Sequence, residues 1–207
     1  RWLTAVAALL LIAAAVGYAA WRYAQPTPYM TAMGERRVVR LADGSTVTLD
    51  SDTRLDVRLG RETRKLWLRR GQARFDVAHD VTRPFQVRAG DRTVVATGTS
   101  FNVEVLGPKV LVTLIEGRVI VLQTRPKDST KGAAASGAGG VPLLPGQRLV
   151  ADVTATPSHV ETADLDRATA WESGKLVFDD EPLSAVAARV SRYTNQPVVV
   201  RSEEHTS

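Results

Sequence analysis

The chain has 207 residues, 44% of them hydrophobic, which suits one or two domains with a real core and excludes a disordered tail. Lys and Arg number 27 against 22 Asp and Glu, a formal +5 that points to acidic partners. With no Cys there is neither a disulfide framework nor a thiolate metal site, and the compartment stays open.

No charged residue falls between Trp2 and Trp21, and the run LTAVAALLLIAAAVGYAA is long enough at helical rise to cross a hydrocarbon core of about 30 Å. Tyr18, Trp21 and Tyr23 gather at its C-terminal end, where amphipathic rings suit the headgroup level, and Arg22 and Arg1 mark the two water boundaries. Residues 1–24 therefore predict one transmembrane helix with its flanks. A cleaved signal peptide is the rival reading, but the run exceeds an h-region of about 7–15 residues. A buried core helix is the other reading, but the segment shows no polar face, and a helix apolar all round belongs in lipid or at the centre of a large protein. One Arg on each side leaves orientation undecided by charge. Arg1 in place of an initiator Met carries the expectation that cytoplasmic sequence precedes it. A domain exported across the bilayer does not meet the chromosome, so direct nucleic-acid binding is set aside while anionic lipid is kept.

Residues 25–37, opened by Pro26, Thr27 and Pro28, read as a short stiff linker. From Val38 the pattern becomes period-two alternation with frequent Gly, predicting an all-β domain over residues 38–160. Val39 and Leu41, the turn Ala42-Asp43-Gly44, then Val47 and Leu49 predict a hairpin or tight corner. Further pairs follow at Leu55/Val57/Leu59, Leu66/Leu68, Phe75/Val77, Phe85/Val87, Phe101/Val103/Val105 and Val119/Val121. Gly71 and Gly117 each precede a strand in similar surroundings, a weak repetition that fits a sandwich or a β-helix-like stack of coils equally well. Residues 127–140, KDSTKGAAASGAGG, lack apolar bulk and predict a flexible surface loop inside this domain, which resumes at Leu149 and Val150.

The organisation changes near Trp171. Leu176-Val177-Phe178 predicts a short strand and Asp179-Asp180-Glu181-Pro182 a helix start. Leu183, Val186, Ala187, Val190 and Tyr193 then mark one helical face, stopped by Asn195-Gln196-Pro197, with Pro197-Val198-Val199-Val200 as the next strand. Residues 171–200 thus form a partial βαβ module of α/β type, and the fold class is mainly β with one N-terminal membrane helix.

No arrangement for chemistry stands out, and no catalytic, cofactor-binding or metal residue is assigned. His79, His159 and His205 are far apart and lie among loop-type residues, without zinc-ligand spacing. Asp179, Asp180 and Glu181 are explained by capping and the helix dipole rather than acid–base work. Gly137 to Gly140 lacks the Lys-Ser/Thr continuation of a phosphate loop. The cluster Arg58, Arg61, Arg64, Lys65, Arg69, Arg70 and Arg74 reads as a solvated face, with an acidic partner or lipid headgroups as the second reading.

The stretches Val39-Arg40-Leu41-Ala42-Asp43-Gly44-Ser45, Arg70-Gly71-Gln72-Ala73-Arg74-Phe75-Asp76-Val77, Pro84-Phe85-Gln86-Val87 and Gly98-Thr99-Ser100-Phe101-Asn102-Val103 resemble the FecR family of bacterial membrane sigma-factor regulators. Glu116-Gly117-Arg118-Val119 continues the resemblance, which runs in order over residues 38–121. Gly174 to Leu183 resembles the start of the short secretin/TonB N-terminal module that ends many members.

The resemblance implies a non-enzymatic signal transducer in the bacterial inner membrane, its N-terminus cytoplasmic and its bulk periplasmic. It implies two protein partners: an extracytoplasmic-function (ECF) sigma factor, held by a cytoplasmic segment expected before Arg1, and the signalling domain of an outer-membrane TonB-dependent transporter, often one for iron–siderophore uptake. Leu176, Val177, Phe178, Leu183, Val186 and Arg189 are the candidate partner-binding residues, since an exposed sheet edge accepts a partner strand. The alternative is an envelope-attachment module binding anionic cell-wall polymer or lipid. Residues 201–207, RSEEHTS, are expected to be a non-native tail.

Overall fold

The structure, a computed structural model, describes residues 2, 10–18, 25–123, 140–152, 158–194, 196 and 198. Among these residues alternation and Gly corners yield thirteen strands in chain order. They are β1 (Thr27–Met30), β2 (Arg37–Arg40), β3 (Thr46–Leu49), β4 (Arg54–Leu59), β5 (Arg64–Asp76), β6 (Phe85–Ala89), β7 (Arg92–Ala96), β8 (Ser100–Leu106), β9 (Lys109–Glu116), β10 (Val119–Gln123), β11 (Val141–Leu143), β12 (Gln147–Asp152) and β13 (His159–Thr162).

β5 organises the rest. Its residues 64–70 pair with β4, and 64–68 also with β6, in a first half ordered β1-β4-β5-β6-β7-β10-β11. Its residues 71–76 pair with β8, and 73–76 also with β3, in a second half ordered β2-β3-β5-β8-β9-β12-β13. Gly71 sits at the changeover with φ +84°, and a Cβ built there would lie 2.3 Å from Thr53 Oγ1 and 2.7 Å from Thr53 Cα. Only glycine allows β5 to serve both halves along this path. Among the described residues every strand pair is antiparallel except β5 with β6, which sets aside the stack of β-coils, because coils pair in parallel.

The inward positions of both halves meet in one core. Phe75 stacks on Phe101 at 5.2 Å between ring centroids and meets Phe85 of the other half edge-on at 6.1 Å. Leu49, Leu55, Leu66, Leu114, Leu143 and Leu149 fill the space around them. Each such side chain stabilises the fold by about 1.5–3 kcal/mol through area removed from water.

The predicted hairpin forms between β2 and β3, with Gly44 at φ +87° and the Asp43 carboxylate accepting from the Ser45 N–H. Asp43 also receives Arg64, whose guanidinium is fully buried. Arg64 Nη1 lies 2.9 Å from Asp43 Oδ2, Nε donates to the Arg83 carbonyl at 2.8 Å, and the head group sits 5.2 Å from the Phe85 ring centroid. Burial pushes the Asp43 carboxyl up, but hydrogen bonds from Ser45 and Arg64 outweigh it and hold the group below its ordinary value.

Some expectations fall on residues outside those described, and others need correction. Residues 10–18 are helical with exposed apolar side chains, yet among the described residues no helix is long and apolar enough to cross a membrane; residues 3–9 and 19–20 of the expected span lie outside them. The expected linker already contains β1 and the start of β2. Leu176-Val177-Phe178 forms no strand: Gly174 leaves the preceding turn at φ +74°, and Asp180 turns at φ +48°, so the apolar trio is too short and too bent to pair. The expected βαβ unit therefore lacks its first strand, and most of its second lies outside the described residues, as do residues 127–139 and 201–207. The helix Leu183–Ser191 does form, but its N-cap is Pro182 without a side-chain cap bond, so the acidic run does not cap it.

Candidate functional site

Alternation predicts that the outer face of the second half meets solvent. Its outward side chains, most of them polar, align in two rows across the strands. One runs Thr48, Arg74, Asn102, Thr113, Arg148; the other runs Gln72, Glu104, Leu111, Val150. Thr48, Gln72, Asn102, Glu104, Leu111 and Thr113 are nevertheless buried. What covers them is the C-terminal segment from Ala163 to Thr194.

This cover is built from short local signals. Asp164 caps the helix Leu165–Thr169 by accepting from the Arg167 N–H, and a 3-10 turn, Ala170–Ser173, drives Trp171 to 4% exposure before Gly174 ends it. The helix Leu183–Ser191 then lies over β8. Its attachment is ionic. Arg189 grips Glu104 with two bonds of 2.8 and 2.9 Å, and Arg192 Nη2 reaches the same carboxylate at 2.6 Å. Glu181 pairs with both Arg167 and Arg189. Arg74 reaches Glu172 at 3.1 Å, the Tyr193 hydroxyl donates to Asp50 at 2.6 Å, and Ser51 donates to the Arg192 carbonyl.

The protonation states follow from this packing. Burial pushes Glu104 up, but the bonds and charges of Arg189 and Arg192 outweigh it and hold the group below its ordinary value. Asp50 goes the other way, burial raising it more than the Tyr193 hydrogen bond lowers it. Between sheet and cover lies a cavity of about 40 Å³, lined in part by Asn102, Trp171, Leu176 and Phe178. Asn102 Oδ1 and Trp171 Nε1 are buried there without a hydrogen-bond partner among the described residues. A joint held by charges and lined by polar groups resembles a dissociable interface more than a domain core.

Of the candidate residues, Leu176, Val177, Phe178 and Arg189 come together around this cavity. Leu183 and Val186 do not: Leu183 is 68% exposed and Val186 half-buried on the helix. Sequence reasoning missed Glu104, Arg192, Asp50, Asn102 and Trp171 as members of one joint. The usable signal was Arg189 and Arg192, three apart and so on one helix face. The basic cluster does not form one patch either. Arg64 is in the core and Arg74 under the cover, while Arg58, Arg61, Lys65, Arg69 and Arg70 remain exposed on the first half.

A sheet folded over one core, closed on one outer face by its own C-terminal segment, makes this a β-domain protein. Residues 27–120 match the family described as FecR protein, so the chain carries a FecR domain, running from β1 into β10. Two crystal structures of a putative anti-sigma factor from Parabacteroides distasonis ATCC 8503 are similar to it, both with a TM-score of 0.70. Identity is 27% and 28%, over 83% and 82% of this chain and 76% of that chain. Coverage of that extent passes well beyond residues 27–120, so fold outside the family match is shared too. No curated protein matches the chain.

Proposed function

We propose that this chain is a sigma-factor regulator of the inner membrane, relaying a signal from the periplasm to a cytoplasmic ECF sigma factor and catalysing no reaction. The observation that carries the reading is the order of parts: a FecR domain beginning at residue 27, directly after an apolar run free of charge from Trp2 to Trp21. Similarity to the putative anti-sigma factor from Parabacteroides distasonis supports the sigma-factor partner. In this reading the apolar run spans the membrane, the N-terminus is cytoplasmic, and the β domain with its cover faces the periplasm.

The signal comes from the signalling domain of a TonB-dependent transporter, and the regulated genes serve iron–siderophore uptake. Leu176, Val177, Phe178 and Arg189 are the surface it contacts, supported by their convergence on a polar, ion-paired joint. Leu183 offers an exposed apolar contact beside them. A sigma-dependent reporter in the native host tests the reading. Deleting residues 172–207 is expected to abolish induction while the protein still accumulates in the inner membrane; full induction by the truncated chain would sink the proposal.

A further inference from the structure

The two outer faces of the sheet differ in what covers them. The second half lies under residues 163–194, its charges matched by partners on the cover. The first half carries no such cover among the described residues, and the positive surplus gathers there. Across β4, β5 and β6 the outward positions align as Arg58, Lys65, Gln86 and, one row on, Asp56, Trp67, Arg88. Arg58, Arg61 and Lys65 are exposed and lie together, with Glu62 as the one carboxylate beside them. Asp56, itself 8% exposed, is already taken by Arg54 and Arg69, and Asp52 by Arg70. Among the described residues Arg88 donates only to the Gly90 carbonyl. Half-buried Trp67 stands among these cations with the amphipathic ring that suits a bilayer interface.

The chain path brings this face to one partner. β1 is the edge strand of the first half and pairs with β4, and residues 19–26 are all that separate it from the apolar helix at 10–18. That stretch reaches at most about 30 Å even when fully extended. We propose that the bare face of β4, β5 and β6 docks on anionic phospholipid at the surface of the bilayer that holds the apolar segment. The proposal rests on the reading that this segment spans the membrane. Docking there would hold the covered face, with Leu176 to Phe178 and Arg189, toward the periplasmic space, where a partner can reach it.

The absence of Cys makes the test clean. The full chain is reconstituted into nanodiscs of phosphatidylcholine with or without phosphatidylglycerol, carrying one fluorophore at Gln86→Cys or, as control, at Glu161→Cys on β13. Headgroup spin-labelled lipid serves as quencher. With phosphatidylglycerol, the Gln86 position is expected to be quenched about threefold more than Glu161. The difference should vanish at about 0.5 M salt and in the exposed double variant Arg58→Glu, Lys65→Glu. Equal quenching at both positions, or the same quenching without phosphatidylglycerol, overturns the proposal. So does shielding of the Gln86 label by purified anionic wall polymer without quenching in discs. If alkaline carbonate extracts the chain from membranes, the spanning reading itself falls, a result separate from loss of docking in a chain that stays inserted.

Discussion

Gly71 shows how much a single residue decides. Its φ of +84° costs any side chain strain, and its would-be Cβ lies 2.7 Å from backbone at Thr53, which no rotamer change relieves. Gly71→Ala is expected to destabilise the domain by more than about 2 kcal/mol in urea unfolding. Gly34→Ala, at φ +75° with nothing within 4 Å, should cost only about 1 kcal/mol, so equal losses would contradict the steric account. Residues of this kind were visible in sequence, because a Gly just ahead of an alternating run has few explanations other than a corner. Arg64 was not. It sits in a run of cations that reads as solvated surface, and only the approach of Asp43 and the Arg83 carbonyl makes its burial tolerable.

At the scale of elements, the alternation yielded the β domain, since inward apolar residues recur at period two in nearly every strand. The cover was hidden for the same reason. Polar outward positions read as facing water, and nothing local says that a segment 85 to 98 residues further on will pack there through matched charges. The Glu104 cluster makes that packing pH-dependent. Its folded value lies below the ordinary 4.5, so its contribution is complete above about pH 4.5 and is lost as pH falls through the folded value. Asp50 has the opposite sign: its raised value means that the ionised form opposes folding, an opposition relieved on acidification. Comparing wild type with Glu104→Gln isolates the first effect. The variant is expected to be about 2–3 kcal/mol less stable at neutral pH, where Arg192 loses its counter-charge and Arg189 keeps only Glu181. The gap should narrow steadily below about pH 4.5. A gap constant across that window in denaturant titrations would mean that the carboxylate charge does not hold the cover.

For the molecule as a whole, one outer face is closed by charge pairs and the other presents exposed cations, several of them without a carboxylate partner among the described residues, and such asymmetry has meaning only if the domain is held in a fixed orientation. A tether of about eight residues entering at the β1 edge restricts that orientation, provided the apolar segment is in a bilayer. Which side of the membrane the domain occupies is set by neither the fold nor the single Arg at each flank. Glu116→Cys places a lone thiol at an exposed position, at the end of β9 and away from the cover. A membrane-impermeant maleimide added to intact spheroplasts is expected to label this thiol to the same extent as after lysis. Labelling that appears only on lysis would place the β domain in the cytoplasm. The regulator could then still bind a sigma factor, but no transporter domain could reach Leu176 to Phe178, and a periplasmic origin for the signal would have to be given up.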